Sequence, residues 1–288
     1  MAAMADPEGA WRAYEEGREA RRKSEYARAE ERFRMAAKLA RASRAWETLA
    51  LAQLGIAKVA RQRGNYPLAR RRFGQALRTS RKYGIAVVEG MVLHDLFVLA
   101  CDVCEKKEAM RLAEEAFEIH KSIQHHDLPR LAHDVGYYWI TVGDYHSALS
   151  VIRAALPFVS GSEEEMVVWG NIARAAAGSQ RLSEFEEACA QVEKLIRSAG
   201  SEEHAARSLL SVAVGALTLN DWELAERKAL DALAVAQRRA EARIRFEAEA
   251  LLTSLHLRKA VEAPSVPPTL RRRALARNFV QTLRERTP

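Results

Sequence analysis

The sequence predicts an all-α solenoid of about six to seven antiparallel helix pairs, and three observations carry that reading. A short pattern recurs at a near-constant interval, and the intervals are filled with apolar residues at helical spacing. No alternating valine- or threonine-rich run marks a strand. The recurring pattern is Ser24-Glu25-Tyr26, Gly64-Asn65-Tyr66, Gly143-Asp144-Tyr145 and Asn220-Asp221-Trp222, each followed three places after its aromatic by a small residue. With weaker copies included, the small anchors are Ala29, Ala69, Ala109, Ala148, Phe185 and Ala225, spaced 40, 40, 39, 37 and 40 residues apart. A fixed period of this size indicates stacked supersecondary units, each burying its apolar face on its neighbours.

The elements follow in order, each pair being a helix A and a helix B. The first pair, about residues 8–42, opens at Asp6-Pro7, an N-cap followed by a proline at the first helical position, and turns near residue 24. The second, about 43–82, has the run Trp46, Leu49, Leu51, Leu54, Ile56, Val59 in its A helix and turns near 65, with Pro67 at the start of B. The third, about 83–122, turns near 104, where Cys104-Glu105-Lys106 replaces the aromatic turn. The fourth, about 126–160, has Pro129 at its start, Pro157 near its end and a turn near 144. The fifth, about 162–199, opens on a capping-box pattern, Ser162-x-x-Glu165, and turns near 181 at Arg181-Leu182-Ser183. The sixth, about 201–238, places the carboxylates of Ser201-Glu202-Glu203 on its first turn, where the helix dipole favours them. A seventh A helix, about 240–260, completes an array over residues 1–260. A proline-rich linker, 261–268, then leads to a basic helix over 269–288, either a cap on the array or a detached tail.

These turn, small and bulky positions resemble the tetratricopeptide repeat, with Gly17 and Gly136 at the small position of helix A and Ala57 and Ala213 substituting elsewhere. The resemblance covers about residues 8–240; it is strong in units one, two, four and six and weak in three and five. The usual repeat has 34 residues, so a period near 40 gives helices up to a turn longer. Long-period variants of this kind resemble those of bacterial activators and peptide-sensing regulators. The resemblance implies a right-handed superhelix whose A helices line a concave groove that binds a peptide or a partner's helix. A protein-interaction scaffold is therefore the expected function, not an enzyme.

The expected groove positions are Trp11, Tyr14, Arg18 and Arg21 in unit one and Leu51, Leu54, Lys58 and Arg61 in unit two. Unit three adds Met91, His94 and Val98, unit four Arg130, His133 and Tyr137, unit five Asn171 and Arg174, and unit six Arg207 and Leu210. Aromatic, arginine and histidine side chains at these spacings suit a peptide groove, although many would equally pack between helices. Some members of the family clamp a C-terminal carboxylate with lysine and asparagine in consecutive units. Asn171 and Arg207 match two of those positions, but His133 and Tyr137 stand where lysine and asparagine are needed, so that clamp is incomplete.

Composition narrows the rest. A chain of 288 residues with 48% hydrophobic and 29% charged residues is neither disordered nor built to span a bilayer. Its most apolar stretch, from Gly90 to Cys104, is broken by His94, Asp95 and Asp102. Three cysteines and an N-terminus without a basic or apolar region fit a reducing, cytoplasmic setting. Cys101-x-x-Cys104 lacks a second ligand pair, and His125-His126 is not expected to converge on one ion, so neither metal nor cofactor is expected. No phosphate-binding glycine loop, nucleophile elbow or zinc-protease motif occurs. His94-Asp95 and His133-Asp134 point about 100° apart on a helix and form no dyad.

The net charge of +7 hides a contrast: residues 1–90 carry 20 Lys+Arg against 10 Asp+Glu, residues 91–237 carry 13 against 23, and residues 238–288 carry 12 against 5. The triplets Arg70-Arg71-Arg72 and Arg271-Arg272-Arg273 are the candidate basic patches. Without interleaved stacking aromatics they make nucleic acid an unlikely partner, though nucleic acid or acidic partners at the basic ends remain the alternative. The ligand-sensing part of a bacterial-type regulator is a further one. The basic–acidic contrast also suggests a homo-oligomer in which unlike segments pair between copies.

Overall fold

A computed structural model describes residues 6–198, 202–257 and 267–286. Among them lie fourteen α-helices and no strand. The chain divides into two compact units, Met1–Leu131 and Ala132–Pro288. In the first, α1 (Pro7–Arg22), α2 (Tyr26–Ala42), α3 (Trp46–Gln62), α4 (Tyr66–Lys82), α5 (Ala86–Asp102) and α6 (Lys106–Ser122) pack each on the next, and the A helices α1, α3 and α5 touch as well. The second unit takes most of α7 (Leu128–Thr141) and holds α8 (Tyr145–Ala155), α9 (Ser162–Gly178), α10 (Leu182–Ser198), α11 (Ala205–Thr218), α12 (Trp222–Arg238) and α13 (Ala242–His256), ending with α14 (Leu270–Arg284). There α9 touches α11 and α11 touches α13, again joining A helices.

The small anchors fix this packing. Ala29, Ala69, Ala109, Ala148 and Ala225 are fully buried and Phe185 nearly so, as expected of positions that face the paired A helix. One turn further along α2 and α4, Phe33 and Phe73 are also fully buried. A β-carbon on Gly17 would stand 2.7 Å from the Phe33 ring, and one on Gly55 2.6 Å from it. The ring of α2 is thus wedged between two glycines, one from α1 and one from α3, which ties the first repeat to the second.

The turns share one solution. Each places a single residue in the left-handed region, for example Ser24 at φ 59°, Gly64 at 75°, Cys104 at 60° and Asn220 at 61°. The following amide then bonds back across the helix end, as Glu25 N does to Ala20 O at 2.9 Å, which satisfies otherwise unpaired carbonyls. Asn65, Asp144 and Asp221 cap the next helices by accepting from Leu68, Ser147 and Leu224 amides at 3.1, 3.2 and 3.0 Å. Asp6 caps α1 in the same way, and Pro7 opens it.

Three expectations are corrected. The capping box at Ser162 does not form, because Gly161 at φ 105° turns the chain so that Ser162 is already helical; Glu165 instead accepts from Trp169 Nε1 at 3.2 Å. The sixth pair starts at Ala205 after His204 at φ 67°, so Glu202 and Glu203 precede the helix, and Glu202 is bonded to Arg238 at 2.6 Å; Ser201 lies outside the described residues. The last helix is neither a partner of α13 nor a free tail: α14 packs on α8, burying Leu275, Phe279 and Leu283. The expected linker, apart from Pro267 and Pro268, and the expected end of the seventh A helix fall outside the described residues.

Candidate functional site

On the A helices of the first unit, the expected groove residues brace the fold more than they offer a surface. Leu54 is 2% exposed, Leu51 and Tyr14 are also core, and His94 is buried. Met91 and Val98 are half-buried. Lys58 pairs with Asp95 at 3.0 Å and Arg61 with Asp102 at 2.9 Å, both linking α3 to α5. Arg18 pairs with Glu15 at 2.9 Å and lies over the Tyr14 ring, 5.8 Å from its centroid. Burial pushes the Arg21 guanidinium below its usual value, opposed by Asp95 and reinforced by Arg130. Trp11 remains exposed, tilted against Tyr14 with centroids 5.2 Å apart.

The second unit arranges its A-helix residues differently. His133 Nε2 lies 3.0 Å from the Asn171 amide nitrogen, and its Nδ1 lies 3.4 Å from Asp134. An amide nitrogen can only donate, so Nε2 accepts and Nδ1 carries the proton toward the carboxylate. This pairing joins α7 to α9 through buried Asn171, so Asn171 is committed to structure. Beyond it, Tyr137, Arg174, Arg207 and Leu210 line one cleft of about 440 Å³, closed by Ser211, Val214, Ile244 and Leu251. The guanidinium of Arg207 sits 5.7 Å from the centre of the Tyr137 ring. The Nε of Arg174 is buried with no acceptor, and neither arginine has an ion-pair partner among the described residues.

The carboxylates at the rim do not fill that role. Glu241 is bonded to Arg239 at 2.7 Å and Glu247 to Arg243 at 2.8 Å. Two planar guanidinium groups beside an aromatic face and an apolar wall can take a carboxylate in a bidentate hydrogen bond and seat a neighbouring apolar side chain. Ser211 and Val214 were not among the expected groove residues, although their spacing from Arg207, i+4 and i+7, was the signal that could have found them.

Elsewhere the structure rearranges the expected clusters. His125, His126 and Asp127 each bring a ligand atom within 4.8 Å of the others, contrary to the expectation that the two histidines diverge. The turn before α7 stacks their rings, with centroids 4.3 Å apart, and His125 Nδ1 accepts from the Asp127 amide at 3.1 Å. The basic triplets are not uniform patches. Arg70 bonds Glu105 at 2.6 Å, Arg72 bonds Gln75 at 3.0 Å, and Arg272 lies 3.7 Å from buried Asp144, leaving Arg71 and Arg273 facing solvent. Cys104 is exposed, while burial pushes the Cys189 thiol up to about 12.

No family model and no curated protein matches the sequence. The fold does match solved structures. A chain of the APC/C hetero-tetramer Cut9–Hcn1 aligns with a TM-score of 0.64 over 89% of this chain, at 16% identity. A signal transduction ATPase with numerous domains (STAND) protein from Pyrococcus horikoshii, which has a tetratricopeptide repeat sensor, aligns with 0.62 over 81% of this chain, at 15% identity. Rap protein in complex with competence and sporulation factor aligns with 0.61 over 87%, at 13% identity, with 75% of its own length covered. This chain spans only 44% and 35% of the first two. The fold is thus the all-α tetratricopeptide-repeat type. No described helix is long and apolar enough to cross a membrane.

Proposed function

We propose that the protein is an interaction scaffold and that its second unit binds a partner segment in the cleft between α9, α11 and α13. One observation carries this reading: Arg174 and Arg207 line a cleft with an apolar wall and have no carboxylate partner among the described residues, while the acidic residues that also line it, Glu241 and Glu247, are each held by another arginine. The preferred ligand has a carboxylate, from a side chain or a chain end, beside an apolar residue. The similarity to Rap protein complexed with competence and sporulation factor supports a binding role for a fold of this kind. No catalytic role is assigned, since the cleft pairs cations with an aromatic ring and offers no nucleophile with an adjacent base.

Binding of nucleic acid through the basic triplets is the weaker reading, because Arg70, Arg72 and Arg272 are already engaged within the fold. Selection from a random peptide display library against the whole chain tests the proposal. Enriched peptides are expected to carry an acidic residue beside an apolar one, and to lose binding when Arg174→Ala and Arg207→Ala are introduced. Peptides bound equally by the double variant would overturn it.

A further inference from the structure

The first unit holds a second cleft, on its B helices, that the sequence did not signal. It measures about 880 Å³ and lies between α2 and α4 over the outer side of α3. Its walls carry Arg34, Lys38 and Arg41 from α2 and Arg72, Arg78 and Lys82 from α4, and no acidic residue lines it. Lys38, Arg41, Arg78 and Lys82 are exposed and have no ion pair among the described residues, in a fold where most other arginines do. The Nε of Arg72 is buried without an acceptor. At the end where α3 begins, Trp46 and Tyr83 stack 4.3 Å apart at 5° and close the cleft.

Of these six cations only Arg34 has a carboxylate partner among the described residues, Glu30 at 2.6 Å, and the other five crowd around an apolar floor where a bound anion would relieve their mutual repulsion. The repeat places them deliberately close: Lys38 and Arg78 occupy one register position, 40 residues apart, and the third repeat has Glu118 there. At that position the row of cations stops at α4. Along each row, charges four residues apart stand about 6 Å from each other. Alternate side chains of an extended peptide repeat at about 6.6 Å and all point to one side. The floor of Ala37, Leu49 and Ile56 is apolar, and the one aromatic pair is stacked on itself instead of offering successive open faces for bases.

We infer that this B-helix cleft is a docking site for an acidic segment of a partner protein, with carboxylates at alternate positions, distinct from the A-helix cleft of the second unit. The test uses the whole chain and a fluorescent peptide of about a dozen residues alternating glutamate and leucine, matched to the strand repeat. The peptide is expected to bind, to weaken as salt rises, and to protect Lys38 and Lys82 from acetylation as read by mass spectrometry. Lys38→Glu with Arg78→Glu is expected to weaken binding at least tenfold, roughly the loss of two close charge pairs, with unchanged circular dichroism. Lys38→Arg with Arg78→Lys should bind as the parent does. In the Arg174→Ala, Arg207→Ala background the peptide should still protect Lys38 and Lys82, and charge reversal at Lys38 and Arg78 should still weaken binding at least tenfold, which separates this site from the other. Undiminished binding by the charge-reversed chain, or no protection of the two lysines, would overturn the inference. Tighter binding of oligothymidylate of the same length would overturn it in favour of nucleic acid.

Discussion

Phe33 shows at the scale of one residue how the sequence specifies the packing. Its ring is fully buried and fills the space left by two missing β-carbons, at Gly17 and Gly55. Phe33→Ala is expected to cost about 3–5 kcal/mol through the cavity it leaves. Gly55→Ala is expected to cost about 1–3 kcal/mol through overpacking, because the ring has no free space to retreat into. Urea unfolding measures both, and a neutral Gly55→Ala would contradict the wedge. Gly17 was recognisable from the repeat pattern, whereas Gly55 was not, since its partner belongs to the preceding helix pair. Tyr14 gives a second test. Burial raises its phenol above the ordinary 10.0, with Arg18 opposing. A raised folded value favours the protonated form, so this contribution is complete below pH 10.0 and is lost as pH rises through the folded value. Tyr14→Phe should therefore flatten the alkaline loss of stability seen in thermal melts above that pH. An unchanged alkaline limb would show that Tyr14 is not titrating.

At the scale of elements, the turns carry a cost that the sequence meets unevenly. Gly64 and Gly143 take the left-handed conformation freely, but Arg44, Gln124 and Ala240 adopt it with a side chain attached, at φ 55°, 50° and 55°. Gln124→Gly and Ala240→Gly are each expected to raise stability by up to about 1 kcal/mol, and Gly64→Ala to lower it by a similar amount. Nothing lies within 4 Å of a β-carbon at Gly64, so that loss would be backbone strain alone. Denaturation midpoints of the three variants decide this, and a shift of opposite sign would refute it. Helix positions and turns were legible because a 40-residue period repeats the same anchor six times. The partner of α14 was not legible, since an amphipathic pattern shows that a face is buried but not which helix covers it. Nor was the boundary between core and groove on α3, where buried residues run from Thr48 to Ala60 almost all round the helix. That is why Leu54, read as groove, is core.

For the whole molecule, part of the contrast between basic and acidic segments is met inside the chain. Asp95, Asp102 and Glu105, from the acidic stretch, pair with Lys58, Arg61 and Arg70 from the basic one. These internal pairs compete with pairing between copies, so the chain is expected not to oligomerise through its charged segments. Sedimentation velocity should give the same mass at low and high salt, and a low-salt dimer that salt dissolves would restore the earlier expectation. Among the described cations that the fold leaves without a carboxylate partner, two groups line clefts: Arg174 and Arg207 in the second unit, and most of the cation rows of α2 and α4 in the first. Single charges read from sequence looked like solvated faces, because only the folded repeats show which ones already have partners.

The claim that the second unit binds through Arg174 and Arg207 is tested most directly by calorimetric titration. A display-selected acidic peptide is titrated into the parent chain, into Arg174→Ala with Arg207→Ala, and into Arg174→Lys. Each lost charge-assisted hydrogen bond is worth about 1.5–3 kcal/mol, so the double variant should bind at least tenfold more weakly. The lysine variant should fall between, since a lysine keeps the charge but not the planar fork. Equal affinity for all three chains would contradict the account.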